Sequence, residues 1–350
     1  MSSGEKTAVR ARVSILSPTY QHAGFIGDCV RSVLAQTMQD WEMIIVDDGS
    51  DDGTADIAES FDDRRIIVLR RPHEGVAGLG RAYAAALARA SSPFVAILEG
   101  DDTWPTTKLA DQLPLFGDPA VVLAYGSAGL MDEDGHVYAH HRHAPRGKVS
   151  RNDPVGSILP ALVDVTFIVA VTVMIRRATL ERIGGFFQPA GIPYVDHPTW
   201  LRLATIGRFA KSPKVLGYWR RYARQVTSRS WFGTAPDREP YLQAIVAEAR
   251  GVVSPNVLAA LAASTRRDSS RQREEAQIAH GRVALLEARW RQAAQVFAQL
   301  LRTGEPRTRA VAAAGLLCAG SRTDLEPLIG AMGRHSLPSR RHLASHVDKR

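Results

Sequence analysis

A mostly parallel α/β sheet with helices packed on both of its faces is the fold class this sequence predicts. Three observations lead there. Short apolar runs of β-rich composition alternate with helical periodicity from Val13 to Leu98. Two of those runs, Trp41 to Val46 and Phe94 to Leu98, feed directly into clustered carboxylates, as strands do where they carry a ligand site at their C-terminal ends. The chain has 350 residues, 45% of them hydrophobic and 23% charged, which suits a globular protein with one large domain or two smaller ones.

The elements follow in order. Val13-Ser-Ile-Leu-Ser17 is a first strand, which Pro18-Thr-Tyr20 should end because proline cannot donate to a ladder. Ile26, Val30, Val33 and Leu34 then form a helical stripe. Trp41 to Val46 is a second strand, and Asp47 to Thr54 a turn into a short helix from Ala55 to about Phe61. Ile66 to Leu69 is a third strand. Glu74-Gly-Val-Ala-Gly-Leu-Gly80 follows as a flexible turn into an alanine-rich helix that runs to about Ala90. Its glycine order does not match the dinucleotide fingerprint, so backbone room at a helix start explains it better. The strand at Phe94 is the fourth.

Beyond it, Trp104 to Leu113 leads into a helix and Val121 to Gly126 is a strand. Met131 to His136 is a turn between polar extended segments. His140 to Asp153 reads as a polar, basic loop, whose histidines (His140, His141 and His143) lack the acidic or cysteine partners of a metal cluster. Ile158 to Ile175 is almost wholly apolar and close to the length of a membrane span, but Pro160, Asp164 and two threonines favour a helix followed by a buried strand. Thr172 to Arg177 is that strand, and Ala178 to Ile183 a short helix closed by two glycines. Asp196 stands at a loop-to-helix junction with Trp200, Leu201 and Ala204 behind it. Lys214 to Tyr222 is a last strand with a basic end.

After Pro240 the strand signals stop. One amphipathic helix is expected over Ala279 to Leu301, carrying Val283, Leu286, Trp290, Ala294, Phe297 and Leu301, with shorter pieces at Ala310 to Cys318 and Leu325 to Met332. From Ser336 the chain is polar, basic and expected to fray. The division is thus a domain over residues 12–232 and a helical extension over 240–335. Met1 to Glu239 carries 27 basic and 27 acidic side chains, so the rest of the chain holds the whole formal excess of +8. That excess points to an anionic surface as a partner, either a membrane or a lipid-phosphate-linked acceptor, since no nucleic-acid-binding motif accompanies it. Cys29 and Cys318 lie far apart and have no metal-ligand spacing, which suits a reducing compartment. The polar first residues lack the apolar core of a signal peptide. A cytoplasmic protein, peripheral at the inner face of the membrane, is the expectation.

The carboxylates suggest chemistry. Glu99, Asp101 and Asp102 repel one another unless a cation sits among them, and hard oxygen ligands suit Mg²⁺ or Mn²⁺ shared with phosphates. The competing structural role is a solvated acidic turn. For Asp47 and Asp48 the competing role is capping of the next helix.

With these motifs in order, the chain from about Arg12 to Arg229 resembles the family 2 glycosyltransferases, which have the GT-A nucleotide-diphospho-sugar transferase fold. Val13-Ser-Ile-Leu-Ser-Pro-Thr-Tyr20 is similar to their first strand and turn, Val46-Asp-Asp-Gly-Ser-Asp-Asp-Gly-Thr54 to their most recognisable motif, and Leu98-Glu-Gly-Asp-Asp-Thr-Trp-Pro105 to their metal motif. The resemblance implies a nucleotide site of Pro18, Thr19, Tyr20, Asp47, Asp48, Arg81 and Asp101, with Asp48 accepting the imide N–H of uracil or thymine. It implies a divalent metal, Mg²⁺ or Mn²⁺, at Glu99, Asp101 and Asp102, and Asp196 as general base. It further implies an inverting enzyme that takes a UDP- or dTDP-type sugar to a glycan, glycolipid or other hydroxyl acceptor, in polysaccharide or glycoconjugate synthesis at the cell envelope. Four positions depart from the family pattern: Glu99 replaces Asp, Gly80-Arg81 replaces Arg-Asn, Val195-Asp196 replaces Glu-Asp, and Tyr222 stands where His is common. Leu286 to Phe297 resembles half of a tetratricopeptide repeat. A sugar nucleotidyltransferase, or a degenerate GT-A scaffold acting through its C-terminal helices, are the alternatives.

Overall fold

The computed structural model describes residues 11–141, 145–222, 225 and 236–322. Its strands are β1 (Val13–Thr19), β2 (Trp41–Asp47), β3 (Ile66–Arg70), β4 (Phe94–Ile97), β5 (Val121–Met131), β6 (Val137–His141), β7 (Met174–Arg176) and β8 (Arg208–Arg220). Together they form one sheet in the order β3-β2-β1-β4-β7-β5-β6, with β8 paired to β5. β3, β2, β1 and β4 are parallel to one another, β7 is antiparallel to both β4 and β5, and β8 is parallel to β5.

Side-chain alternation explains the layers. Val13, Ile15, Met43, Ile45, Ala96 and Leu98 enter one apolar layer with helices α1 (Ile26–Leu34), α2 (Thr54–Glu59) and α4 (Lys108–Gln112). Leu16, Ile44, Val46, Val95 and Ile97 enter the opposite layer. That layer is closed by α3 (Leu79–Arg89), α5 (Leu159–Asp164), α6 (Arg177–Arg182), α7 (Asp196–Ala204) and α8 (Glu239–Ala249). Parallel strands covered on both faces read as the near-continuous apolar runs seen in the sequence.

The chain divides into two compact units, one of residues up to 222 with 238–265, the other of 223–237 with 266–350. α8 belongs to the first, where Tyr241, Leu242, Ile245, Val246 and Ala249 are buried. The division falls within α9 (Pro255–Leu286), which is followed by α10 (Trp290–Thr303) and α11 (Pro306–Ser321). In the second unit Phe297 lies between Gly281 and Gly315, where a Cβ would come within 2.7 and 2.6 Å of its ring.

Several expected boundaries move. β1 continues through Pro18 and Thr19. Pro18's carbonyl accepts the Gly100 N–H at 3.1 Å, so its nitrogen also faces the β4 side, beyond the last β4 pair at Leu16 and Ile97. The missing N–H therefore costs no ladder bond. β5 and β8 are longer than expected because they pair from Val121 with Arg208 to Met131 with Arg220. The segment read as a loop from His140 begins as strand β6 and contains a turn at Gly147–Arg151. Tyr125's hydroxyl donates to the Ser150 carbonyl, and Asn152's amide to the Ala204 and Gly207 carbonyls. His143 lies outside the described residues.

The single helix expected over Ala279 to Leu301 is two helices, parted at residues 287–289 with Ala288 at φ 56°. Ala284 and Leu285 before the turn and Ala293 and Phe297 after it bury in the same cluster, whereas Val283 and Leu301 of the expected stripe are exposed. Leu325 to Met332 and the tail from Ser336 lie outside the described residues. No helix among the described residues is long and apolar enough to cross a membrane, and Ile158 to Ile175 is α5, a connecting segment and β7.

Candidate active site

Parallel register gathers the motifs. β1 lies between β2 and β4, Thr19 opposite Asp47, and the carboxylates follow the end of β4. Strand order reverses direction at β1, the kind of crevice where open α/β sheets bind ligands. Pro18, Thr19, Tyr20, Asp47, Asp48, Glu99, Asp101 and Asp102 are thereby placed along one edge. A Cβ on Gly100 would overlap the Thr19 Oγ1, so only glycine lets the turn after β4 lie against β1.

Glu99, Asp101 and Asp102 offer oxygens within 4.8 Å of one another. Two unit charges at that spacing repel by about 3–4 kcal/mol at an effective dielectric constant of about 20. Burial first, then Asp101, pushes Glu99 up to about 7. Burial, then Asp101 and Glu99, raises Asp102 well above its ordinary value. Each accepts a hydrogen bond from the protein: Tyr83's hydroxyl donates to Glu99 at 2.8 Å, Tyr222's to Asp101 at 3.0 Å, and the Arg220 N–H to Asp102 at 2.9 Å. Arg220 is itself 1% exposed, with its guanidinium on the carbonyls of Asp101, Asp132 and Glu133 and over the Phe25 ring. Crowded, buried carboxylate oxygens that oppose their own ionisation fit a hard divalent cation.

Beside them, Asp48 turns both oxygens to the chain after β3, accepting the N–H groups of Glu74 and Gly75 at 3.0 Å each, with His73 Nδ1 also 3.0 Å away. Asp47 is buried. Its Oδ2 accepts the Ser50 N–H at 3.0 Å, and its Oδ1 has no hydrogen-bond partner among the described residues. Neither caps α2, since Asp52 accepts the Thr54 N–H there. Tyr20 is 39% exposed and stacks on His73 with ring centroids 4.1 Å apart. Thr19 Oγ1 bonds His22 Nδ1, and His22 Nε2 bonds the Tyr222 hydroxyl, which joins β1 to Asp101. Arg81 is not drawn to the carboxylates of β4 but pairs with Glu74 on the glycine-rich turn.

Asp196 is the first residue of α7. Burial holds its carboxyl up at about 6 although the residue keeps partial exposure, and its own N–H and that of His197 oppose the rise. The carboxylate of Glu99 and the phenol of Tyr83 share its electrostatic surroundings. Behind it, His197 Nε2 bonds the Leu162 carbonyl and Nδ1 the Tyr241 hydroxyl, each at 2.9 Å. The carbonyl assigns the ring proton to Nε2, and burial holds the imidazole neutral with its pKa lowered to about 3. Gln188 ties the turn before α3 to the segment before α7, accepting the Gly80 N–H and donating to the carbonyls of Val76 and Ile192.

Sequence reasoning did not find Tyr83, His73, Arg220 or the His197–Tyr241 pair. Tyr83 is the lone aromatic residue of an alanine-rich helix, which was a usable signal. Arg220 was legible only as part of a basic strand end.

Over residues 14–184 the chain matches the family model described as Glycosyl transferase family 2. It is 33% identical over 222 residues to TuaG of Bacillus subtilis (strain 168), provisionally described as a teichuronic acid biosynthesis glycosyltransferase, a match covering 63% of this chain and 82% of that one. It is 34% identical over 197 residues to WfgD of Escherichia coli, a UDP-Glc:alpha-D-GlcNAc-diphosphoundecaprenol beta-1,3-glucosyltransferase, covering 55% of this chain and 69% of that one. Its fold is similar to that of S. aureus TarS 1-349 in complex with UDP-GlcNAc, with a TM-score of 0.59, 16% identity and coverage of 94% and 93%. It is also similar to the mannosyltransferase PcManGT from Pyrobaculum calidifontis in complex with GDP-Man and Mn²⁺, with a TM-score of 0.53, 20% identity and coverage of 97% and 88%. The sheet, its carboxylate edge and these likenesses agree on the GT-A fold. The chain belongs to the family 2 glycosyltransferases, inverting enzymes that move a sugar from a nucleotide-diphosphate donor to an acceptor hydroxyl.

Proposed function

We propose that this enzyme takes its sugar from a UDP- or dTDP-type donor and passes it to a hydroxyl of a lipid-linked glycan at the cytoplasmic face of a membrane. The observation that carries the reading is the crowded carboxylate edge, with an Asp47 oxygen on the β2 side that has no hydrogen-bond partner among the described residues and the Asp196 carboxyl as an electrostatic neighbour of Glu99. The resemblance gives Asp48 as the acceptor of the imide N–H, but both Asp48 oxygens accept the N–H groups of Glu74 and Gly75, so in this reading the role passes to Asp47 Oδ1, while Asp48 holds the turn that precedes Arg81 in the nucleotide site. Tyr20, stacked on His73, contacts the base ring, and Pro18 and Thr19 flank it. Asp101 and Asp102, with Glu99 in the same group, would hold a divalent cation, Mg²⁺ or Mn²⁺, which when bound would supply neutralisation of charge on the departing diphosphate. Asp196 takes the proton of the acceptor hydroxyl as its oxygen bonds the anomeric carbon and the bond to the diphosphate breaks on the opposite face, so the configuration inverts. The proton then passes to solvent.

Residues 12–232 form the catalytic domain in this reading, and residues 240–335 an extension whose first helix, α8, completes the support behind Asp196. The basic excess of that extension meets the anionic surface on which a lipid-linked acceptor resides. WfgD supports the acceptor class, since its description names a diphosphoundecaprenol-linked sugar, and TarS in complex with UDP-GlcNAc supports the uridine donor.

A thermal-shift screen of nucleotide sugars with and without Mn²⁺ tests the donor. At one hundred times Kd a ligand that binds only the folded state adds about 2.7 kcal/mol, so the preferred donor stands out. A shift by UDP- or dTDP-sugars that requires Mn²⁺, with release of the nucleoside diphosphate on transfer, is expected. Release of pyrophosphate, or no shift with any nucleotide sugar, would overturn the proposal.

A further inference from the structure

Arg221 follows the last residue of β8 and sits between the two residues that grip the carboxylates, Arg220 on Asp102 and Tyr222 on Asp101. The two arginines differ sharply. Arg220 spends its guanidinium on three backbone carbonyls, whereas Arg221 Nη1 is buried with no hydrogen-bond partner among the described residues. Its guanidinium lies 4.3 Å over the Trp219 ring. A buried N–H of a charged group left unpaired costs more than that of a neutral one. Such a donor marks a place where a ligand completes the bonding. Burial lowers the Arg221 pKa, yet arginine remains a cation and so still seeks an anion.

The neighbours indicate what kind of ligand. Trp219 meets the His141 ring edge-on at 6.4 Å, and Arg221's electrostatic surroundings comprise Tyr138 on β6, 60% exposed, and the carboxylates of Asp102 and Asp101, neither of which bonds Nη1. Aromatic faces beside a guanidinium suit a sugar that carries an oxyanion. Sheet order then places this cluster. β5, β6 and β8 lie on the far side of β4 from β1 and β2, which carry Asp47, Asp48 and Tyr20. In an in-line displacement the acceptor approaches away from the leaving diphosphate.

We propose that Arg221, stacked on Trp219 and flanked by Tyr138, anchors an acceptor subsite for a sugar bearing an oxyanion, a phosphate or a carboxylate. The proposal rests on the glycosyltransferase reading of the carboxylate edge. It makes Arg221 a specificity-determining residue rather than a catalytic one.

Calorimetry on the full chain, with UDP and Mn²⁺ present in saturating amounts to fill the donor side, tests it. The probes are N-acetylglucosamine 1-phosphate, methyl glucuronide and the neutral methyl N-acetylglucosaminide. Wild type should bind one charged sugar about tenfold or more tightly than the neutral one, the worth of a charge-assisted hydrogen bond, and the tighter of the two identifies the oxyanion. Arg221→Gln should lose that preference and keep its affinity for UDP. Tyr138→Ala, a change at an exposed side chain, should weaken all three sugars together and stands in if Arg221→Gln does not fold. Equal affinity of wild type for charged and neutral sugars overturns the proposal, as does an Arg221→Gln protein that retains the preference. A drop in UDP affinity in that variant would instead assign Arg221 to the donor phosphates and also overturn it. Absence of UDP binding by wild type would refute the nucleotide-sugar reading itself.

Discussion

Replacing Asp196 with asparagine should yield a protein that is more stable than wild type at neutral pH and nearly inactive. Burial raises the Asp196 carboxyl from 3.8 to about 6. A tenfold change in proton affinity is worth about 1.4 kcal/mol, so the ionised carboxylate costs the folded state up to about 3 kcal/mol above pH 6. Partial exposure of the residue discounts this to roughly 1–3 kcal/mol. The sign follows from proton binding. Between about pH 4 and 6 the folded state holds this proton and the unfolded state does not, so the wild-type contribution is lost as pH rises through that window and is flat above it. Asparagine cannot ionise, and its side-chain oxygen can still accept the N–H groups of residues 196 and 197. Urea unfolding should show the two proteins alike near pH 4 and Asp196→Asn more stable at pH 8 by that amount. Asp196 also contributes to raising Glu99, so removing its charge relieves that repulsion as well and adds to the variant's advantage at pH 8. Transfer, followed by nucleoside diphosphate release, should fall by about 10²–10⁴ with donor affinity little changed. A variant with near-normal turnover would leave the base unassigned. One that is less stable at pH 8 would show that the carboxyl is not held under strain.

Three further outcomes are expected. Asp102→Asn keeps an acceptor for the Arg220 N–H but removes a charge from the carboxylate group, so Mn²⁺-dependent donor binding should weaken by about tenfold or more in calorimetry while the melting temperature is held. Tyr241→Phe takes the hydroxyl from buried His197 Nδ1 and should cost about 1–3 kcal/mol in urea unfolding, an effect absent at an exposed tyrosine such as Tyr138. A chain ended after Thr265, the limit of the first compact unit, should lose salt-sensitive binding to anionic vesicles in a sedimentation assay, and equal binding by both lengths would remove the membrane role of the basic extension.

The order of strands and carboxylates was legible in the chain because each signal is local. An apolar run of five residues, a proline at a strand end or an Asp-Asp-Gly-Ser turn acts on its immediate neighbours, and the GT-A fold follows from their succession. Helical periodicity was equally plain, but it passed over the turn at Ala288 because apolar residues of both helices bury in one cluster. The division of labour within each motif was a different matter. Asp47 and Asp48 are identical in type and adjacent, yet one spends both oxygens on the backbone of residues 74 and 75 while the other keeps a buried oxygen without a partner among the described residues. Arg220 and Arg221 diverge in the same way. Tyr83 reaches Glu99, Tyr241 reaches His197, and the Arg220 N–H reaches Asp102 across 118 positions of sequence. Such pairings depend on which atoms the packed sheet brings within 3 Å, a property of the whole fold that no local spacing encodes.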